Sequence, residues 1–80
     1  MTKAKMILDI QVAEAKAWKH YRDMDAAAGR DSSISEAQIT RCRTQWGVLF
    51  DLREAMGIPS LGARALDAMG LLPEVMSRVA

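Results

Sequence analysis

Side chains that could act as nucleophiles are present, but the sequence gives them almost no general base. Ser32, Ser33 and Ser35 lie close together, and His20 is the only histidine of the chain. A serine nucleophile needs an adjacent base to be activated. Serines at these positions are better suited to turns and helix caps. We therefore predict no serine-nucleophile site, and we expect the protein not to be an enzyme.

The single cysteine is the second candidate for chemistry. Cys42 falls in a stripe of apolar residues, where a thiol usually behaves as a small buried hydrophobe. Reactive cysteines need electropositive, partly exposed surroundings, and Arg41 and Arg43 point away from its face of a helix. One cysteine and one histidine also make a disulfide and a zinc site improbable. The sequence predicts a core role for Cys42 and neither a metal nor a cofactor.

The remaining polar groups show no site either. Asp51 and Glu54 share a helix face, but no further ligand lies near them in the sequence. The segment from Gly57 to Gly62 has two glycines without the Lys-Ser/Thr pair of a phosphate-binding loop. We interpret the two acids as solvated and predict no phosphate-binding loop.

Size and charge set the next limits. The 80 residues suit one helical domain, residues 1–80, and 11 Lys and Arg stand against 10 Asp and Glu. Strong nucleic-acid binders carry a heavier basic footprint. No signal peptide and no membrane span is evident, so a cytoplasmic location and no membrane partner are expected. A core this small commonly needs reinforcement by association, which predicts a homodimer.

The first block, residues 3–28, predicts one amphipathic helix. Apolar residues recur there every three or four positions, and Gly29 is placed to end the helix. A short polar turn follows. The apolar residues on this face are Met6, Ile10, Ala13, Ala17, Tyr21, Met24 and Ala28.

The second block, residues 35–56, predicts a helix with both ends marked. Ser35 and Gln38 have the spacing of a capping box, and Gly57 and Pro59 supply the stop. Gly47, inside the helix, costs about 1 kcal/mol relative to alanine and suggests close approach of another helix or a local bend. The dominant apolar stripe is Ile39, Cys42, Trp46, Leu49 and Met56.

Two long helices with a short connection predict an all-α fold built on an antiparallel helical hairpin. Folding at residues 31–32, with an uncertainty of one turn, brings Trp18 near Trp46 and Tyr21 near Cys42. Glu14 and Arg53 interrupt the two facing apolar stripes at similar heights. They predict either a semi-buried ion pair or two side chains that extend past the rim to water.

The C-terminal segment predicts short helices at 60–69 and 73–79. Its apolar side chains must cover the hairpin, a partner subunit or a target, because so many are unlikely to be left in water. These residues are the predicted interaction surface: Leu61, Leu66, Met69, Leu72, Val75 and Met76.

The function predicted from this pattern is a non-enzymatic protein–protein interaction or assembly module that acts through hydrophobic helix faces. It would bind itself as a homodimer, an unidentified protein, or both, and a small accessory or inhibitory role suits the size. The alternative is a DNA-binding regulator with a degenerate helix-turn-helix at residues 52–70. Arg53 and Gly62 do not fit that motif. The second helix of the motif would present Arg64 and Asp67 as its exposed charged residues.

Overall fold

The structure, a computed structural model, describes residues 2–74 and contains three helices in that range. They are α1 (Lys3–Ala28), α2 (Glu36–Ala55) and α3 (Ala63–Ala68). No strand occurs between residues 2 and 74. The all-α class is therefore confirmed, with two long helices and a short one. The helix predicted at 73–79 lies mostly outside the described residues.

Local hydrogen bonds set the starts of both long helices. Thr2 caps α1 by accepting from the backbone N–H of Lys5 at 3.2 Å. At the start of α2 the Ser35 hydroxyl accepts from the Gln38 N–H, and the Gln38 side chain accepts from the Ser35 N–H. The predicted capping box is confirmed, so two backbone donors of the first turn are satisfied by side chains.

The connection between α1 and α2 is held by an aspartate turn. Asp31 accepts from both the backbone N–H and the hydroxyl of Ser33, at 2.9 and 2.7 Å. These bonds favour the charged carboxylate and lower the pKa of Asp31 from its ordinary value. The serine thus serves the turn, as its position in the sequence predicts.

Glycines end α2 and α3 in the same way. Gly57 and Gly70 have φ angles of 68° and 69°, in the left-handed region that glycine tolerates. The next residue then donates back into the helix, from Ile58 to Arg53 at 3.1 Å and from Leu71 to Leu66 at 2.7 Å. Ile58 and Leu71 are both buried, which is the apolar contact that accompanies this cap.

The long helices pack together with a register one turn away from the predicted pairing. Tyr21, in the later part of α1, stacks on Trp46, which lies one helical turn after Cys42, the residue predicted to be near Tyr21. Glu14, near the middle of α1, pairs with Arg53 in the last turn of α2. The shift follows from the aspartate turn and Ile34, which move the chain reversal past residues 31–32.

The apolar stripe of α2 is buried in part. Cys42 is buried, whereas Ile39, Trp46 and Leu49 are half-buried. Met56 was predicted to lie on this stripe, and that is wrong, because it is the C-cap residue of α2 and is 45% exposed.

The C-terminal segment packs on α1 of the same chain. Leu66 and Leu71 are buried against Ala15, with Val12, Trp18, Leu61 and Leu72 packed around them. The side chain of Pro73 is fully buried. α3 is shorter than the predicted helix at 60–69. Gly62 has an extended backbone and is the N-cap residue of α3, and Gly70 ends the helix in a left-handed conformation.

Candidate functional site

A buried ion pair joins the two long helices. Nε of Arg53 donates to Oε1 of Glu14 at 2.8 Å, and the two side chains are only 6% and 11% exposed. Of the two alternatives that the sequence left open, the structure shows the semi-buried pair. Burial of either charge alone would be strongly unfavourable. Each residue therefore compensates the buried charge of the other.

Arg53 also organises the chain that follows α2. Its Nη1 atom donates to the carbonyl oxygen of Ile58, the residue that follows Gly57, at 2.7 Å. The guanidinium carbon lies 5.1 Å from the centre of the Phe50 ring, within cation–π distance. One side chain therefore connects α1, the aromatic face of α2 and the start of the C-terminal segment.

Aromatic rings surround this ion pair. The Trp46 ring stacks on Tyr21 with centroids 6.0 Å apart and planes inclined by 11°. It also contacts Phe50 at 5.4 Å in a tilted arrangement. Its indole Nε1 donates to Oε2 of Glu14 at 3.3 Å, so both carboxylate oxygens of Glu14 have a donor nearby.

An open cleft of about 220 Å³ lies between α1, α2 and the C-terminal segment. Its walls are mainly apolar, and the Glu14–Arg53 pair lies among the residues that line it. Trp18, Trp46 and Phe50 are half-buried there, so part of each ring faces the open space. The lining residues are Gln11, Glu14, Ala15, Trp18, Trp46, Phe50, Arg53, Ser60, Leu61 and Leu66.

The polar groups of this cleft are few. Three of its polar side chains make hydrogen bonds within the chain, since Glu14 and Arg53 bond to each other and Gln11 donates to the carbonyl of Pro59 at 2.8 Å. Cys42 and His20 do not line it. Within residues 2–74 no group of three or more His, Cys, Asp or Glu is placed to hold a metal.

A polar contact holds the far end of the C-terminal segment to α1. Oδ1 of Asp23 accepts from the backbone N–H of Glu74 at 2.8 Å, and its other oxygen pairs with Lys19. Burial alone would raise the pKa of Asp23. The hydrogen bonds from Lys19 and Glu74, with the charges of Lys19 and His20, outweigh burial and lower the pKa.

The predicted interaction residues of the tail divide into three groups. Leu66 is buried in the core, and Leu61 and Leu72 pack against it, so these three cover α1 of their own chain. Of the three alternatives that the sequence left open for these residues, this packing is cover of their own hairpin, and their part in binding a partner stays a prediction. Met69 is 46% exposed. Val75 and Met76 lie outside the described residues.

Exposed apolar side chains lie instead on the outer face of α2. Val48, Leu52 and Met56 are 64%, 46% and 45% exposed. Their spacing of four residues places them along one side of the helix. This set, called the outer stripe below, was visible in the sequence as a second period of α2. The Trp46 stripe dominates the pattern of α2 because it carries the larger side chains.

Residues 52–70 do not present a long second helix. α3 has six residues, and Arg53, Ile58 and Leu66 are buried inside the chain. Arg53 is committed to Glu14 and Ile58, so its charge is not offered to a phosphate. Arg64 and Asp67 are exposed. The DNA-binding alternative stays a prediction.

Two links to the C-terminal segment had no clear signal in the sequence. Gln11 to Pro59 and Asp23 to Glu74 join residues 48 and 51 positions apart, and neither pair shares a periodic pattern. The contact of Phe50 with Arg53 depends on the burial of the guanidinium, which the sequence alone does not show.

No protein-family model matches this chain, and the comparisons with curated proteins and with solved structures give no match either. Between residues 2 and 74, no helix combines the length and hydrophobicity needed to cross a bilayer.

Proposed function

We propose that the protein is a non-enzymatic assembly module: an antiparallel helical hairpin that forms a homodimer through the outer stripe of α2. The observation that carries the proposal is the row of exposed side chains formed by Val48 and Leu52 on α2 and by Met56 at its C-cap. Apolar side chains in such a row bury well against another helix.

The small core of the fold supports association with a second copy. The buried apolar core of residues 2–74 is small, and the chain has no second cysteine with which to form an internal disulfide. Small domains of this kind gain stability when further apolar surface is removed from water, at roughly 25 cal/mol per Å². A two-fold axis near Val48 and Leu52 would bury the same stripe on both copies.

The test is the molar mass in solution, measured by light scattering on the full chain. We expect twice the chain mass of 8.8 kDa for the wild type. Leu52→Lys should yield the monomer mass, because it places a charge in the centre of the dimer contact. Leu8→Lys is the matched control, since Leu8 is 42% exposed on α1 and lies outside the outer stripe.

A monomeric wild type at concentrations up to about 1 mM would contradict this function, as would equal loss of mass in both variants. Binding to a DNA duplex over a salt series separates the proposal from the DNA-binding alternative. Affinity that falls steeply with salt would favour the regulator.

A further inference from the structure

The aromatic cleft is separate from the outer stripe. Val48 and Leu52 each lie two positions from Phe50, which is about 200° around an α-helix. Val48 and Leu52 therefore face away from the ring of Phe50 on the wall of the cleft. Self-association centred on Val48 and Leu52 leaves the cleft open. Binding in the cleft can therefore be tested independently of dimer formation.

The volume of the cleft limits what can occupy it. Sites for small molecules commonly enclose roughly 300–1,000 Å³, and this cleft holds about 220 Å³. That space matches one large aromatic side chain. Half-exposed rings of Trp18, Trp46 and Phe50 form its walls, and aromatic rings pack well against further rings in offset or edge-to-face arrangements.

The charges in the cleft favour an uncharged occupant. Glu14 and Arg53 neutralise each other at 2.8 Å, so a charged group would lose its hydration and gain no unpaired counter-charge. Oε2 of Glu14 has spare capacity, because its donor, Trp46, is 3.3 Å away. Strong N–H···O bonds are about 2.7–3.2 Å long, and an ionised carboxylate offers about four acceptor sites.

We propose that this cleft is the anchor pocket for one tryptophan or tyrosine side chain of a different protein. The ring packs between the aromatic walls, and its N–H or O–H donates to Oε2 of Glu14. A second copy of the chain is a poor donor, because its aromatic residues, Trp18, Tyr21, Trp46 and Phe50, are all half-buried within their own fold. Large aromatic side chains are also the commonest anchors at protein interfaces.

The test is an NMR titration of the full-length protein with three uncharged probes: N-acetyl-tryptophan amide, N-acetyl-tyrosine amide and N-acetyl-phenylalanine amide. The first two should shift the indole N–H signals of Trp18 and Trp46 in a saturable manner, with Kd on the order of 1 mM. The phenylalanine probe should bind about threefold more weakly or worse, because it lacks the donor. Absence of saturation, or equal binding of all three probes, would overturn the proposal.

A pair of serine variants locates the binding. Ser60 lines the cleft and Ser32 lies in the α1–α2 connection, and both are exposed. Ser60→Trp places an indole at the rim and should abolish the shifts by competing for the pocket, whereas Ser32→Trp should leave them unchanged. Unchanged binding in Ser60→Trp would refute this site. Leu52→Lys should still bind the probes, so failure of the dimer and failure of the pocket are distinguishable.

Discussion

Arg53 reaches across from the last turn of α2 to Glu14 in the middle of α1, and the 2.8 Å contact between them is almost closed to solvent. The same guanidinium bonds to the carbonyl of Ile58, so the ion pair also positions the turn that leads into the C-terminal segment. Within residues 2–74 no buried side-chain nitrogen or oxygen lacks a hydrogen bond. The pair is therefore a satisfied network that links three parts of the chain.

Removal of one partner should be far more harmful than removal of both. Glu14→Leu and Arg53→Met should each lower the free energy of unfolding by about 3–5 kcal/mol, because each removes the buried partner of a charge. Arg53 would keep only the exposed carboxylate of Glu54, 3.5 Å away. The double variant should recover part of this loss. Urea unfolding of the three variants at pH 7 measures the effect.

The exposed pair Lys5–Asp9 is the control for that experiment. Its side chains are 61% and 54% exposed at 2.9 Å, and pairs of this kind contribute about 0–1 kcal/mol. Asp9→Leu should therefore change stability little. If Glu14→Leu were as mild as Asp9→Leu, the buried pair would not have the energetic importance assigned to it.

The long helices and the ion pair could be predicted from the sequence because each depends on local signals. Capping residues and helical periodicity marked the helices, and Glu14 and Arg53 stood out as charges on apolar stripes. The exact pairing could not be predicted, because the turn at Asp31 and Ile34 decides where the chain reverses. A shift of one turn preserves the apolar pattern and still brings Glu14 to Arg53.

The cleft could not be predicted because it requires the position of the C-terminal segment. The leucines of that segment are equally apolar whether they cover their own chain or a partner. Only the long-range contacts, such as Gln11 to Pro59 and Asp23 to Glu74, place the segment on α1. Those contacts involve polar residues that no periodicity connects.

Two glycines should respond in opposite directions to the same substitution. A Cβ added at Gly47 would meet nothing within 4 Å, so Gly47→Ala should stabilise the fold by about 0.5–1 kcal/mol through helix propensity. The structure thus shows no close approach at Gly47 within the described chain. Gly57→Ala should destabilise by about 1 kcal/mol, because its φ of 68° strains any residue with a Cβ.

Thermal unfolding of the two alanine variants checks this pair. Neither substitution removes a side-chain contact between α1 and α2. The difference in stability between the two variants therefore reports the backbone conformation at each glycine. A destabilised Gly47→Ala would show that another chain approaches α2 at that point, and its dependence on protein concentration would identify a contact between copies.

Acid should weaken the attachment of the C-terminal segment through Asp23. The pKa of Asp23 is lowered from 3.8 in the folded chain, where burial opposes the shift and the Lys19 and Glu74 bonds prevail. A lowered folded pKa gives stability that is present above about pH 3.8 and is lost as the pH falls through the folded value. We expect the difference in the free energy of unfolding between wild type and Asp23→Asn to shrink over that range of pH.

Urea unfolding of both proteins at a series of pH values from neutral to strongly acidic measures this difference. Asp25→Asn is a suitable control, since Asp25 is exposed on the same helix. A difference between wild type and Asp23→Asn that stays constant down to the most acidic pH would mean that Asp23 does not act through its charge.

Trp46 should contribute through its ring more than through its N–H group. The indole is half-buried but stacks on Tyr21 and contacts Phe50, so Trp46→Ala should destabilise by about 3 kcal/mol, at the lower end of large aromatic truncations. Trp46→Phe keeps a ring in the stack and loses only the 3.3 Å bond to Glu14, which predicts a loss of about 1 kcal/mol. Urea unfolding followed by circular dichroism avoids reliance on the fluorescence that both variants change. A near-neutral Trp46→Ala would show that the stack stabilises nothing, and the aromatic wall of the cleft would then lack the rigidity that an anchor pocket needs.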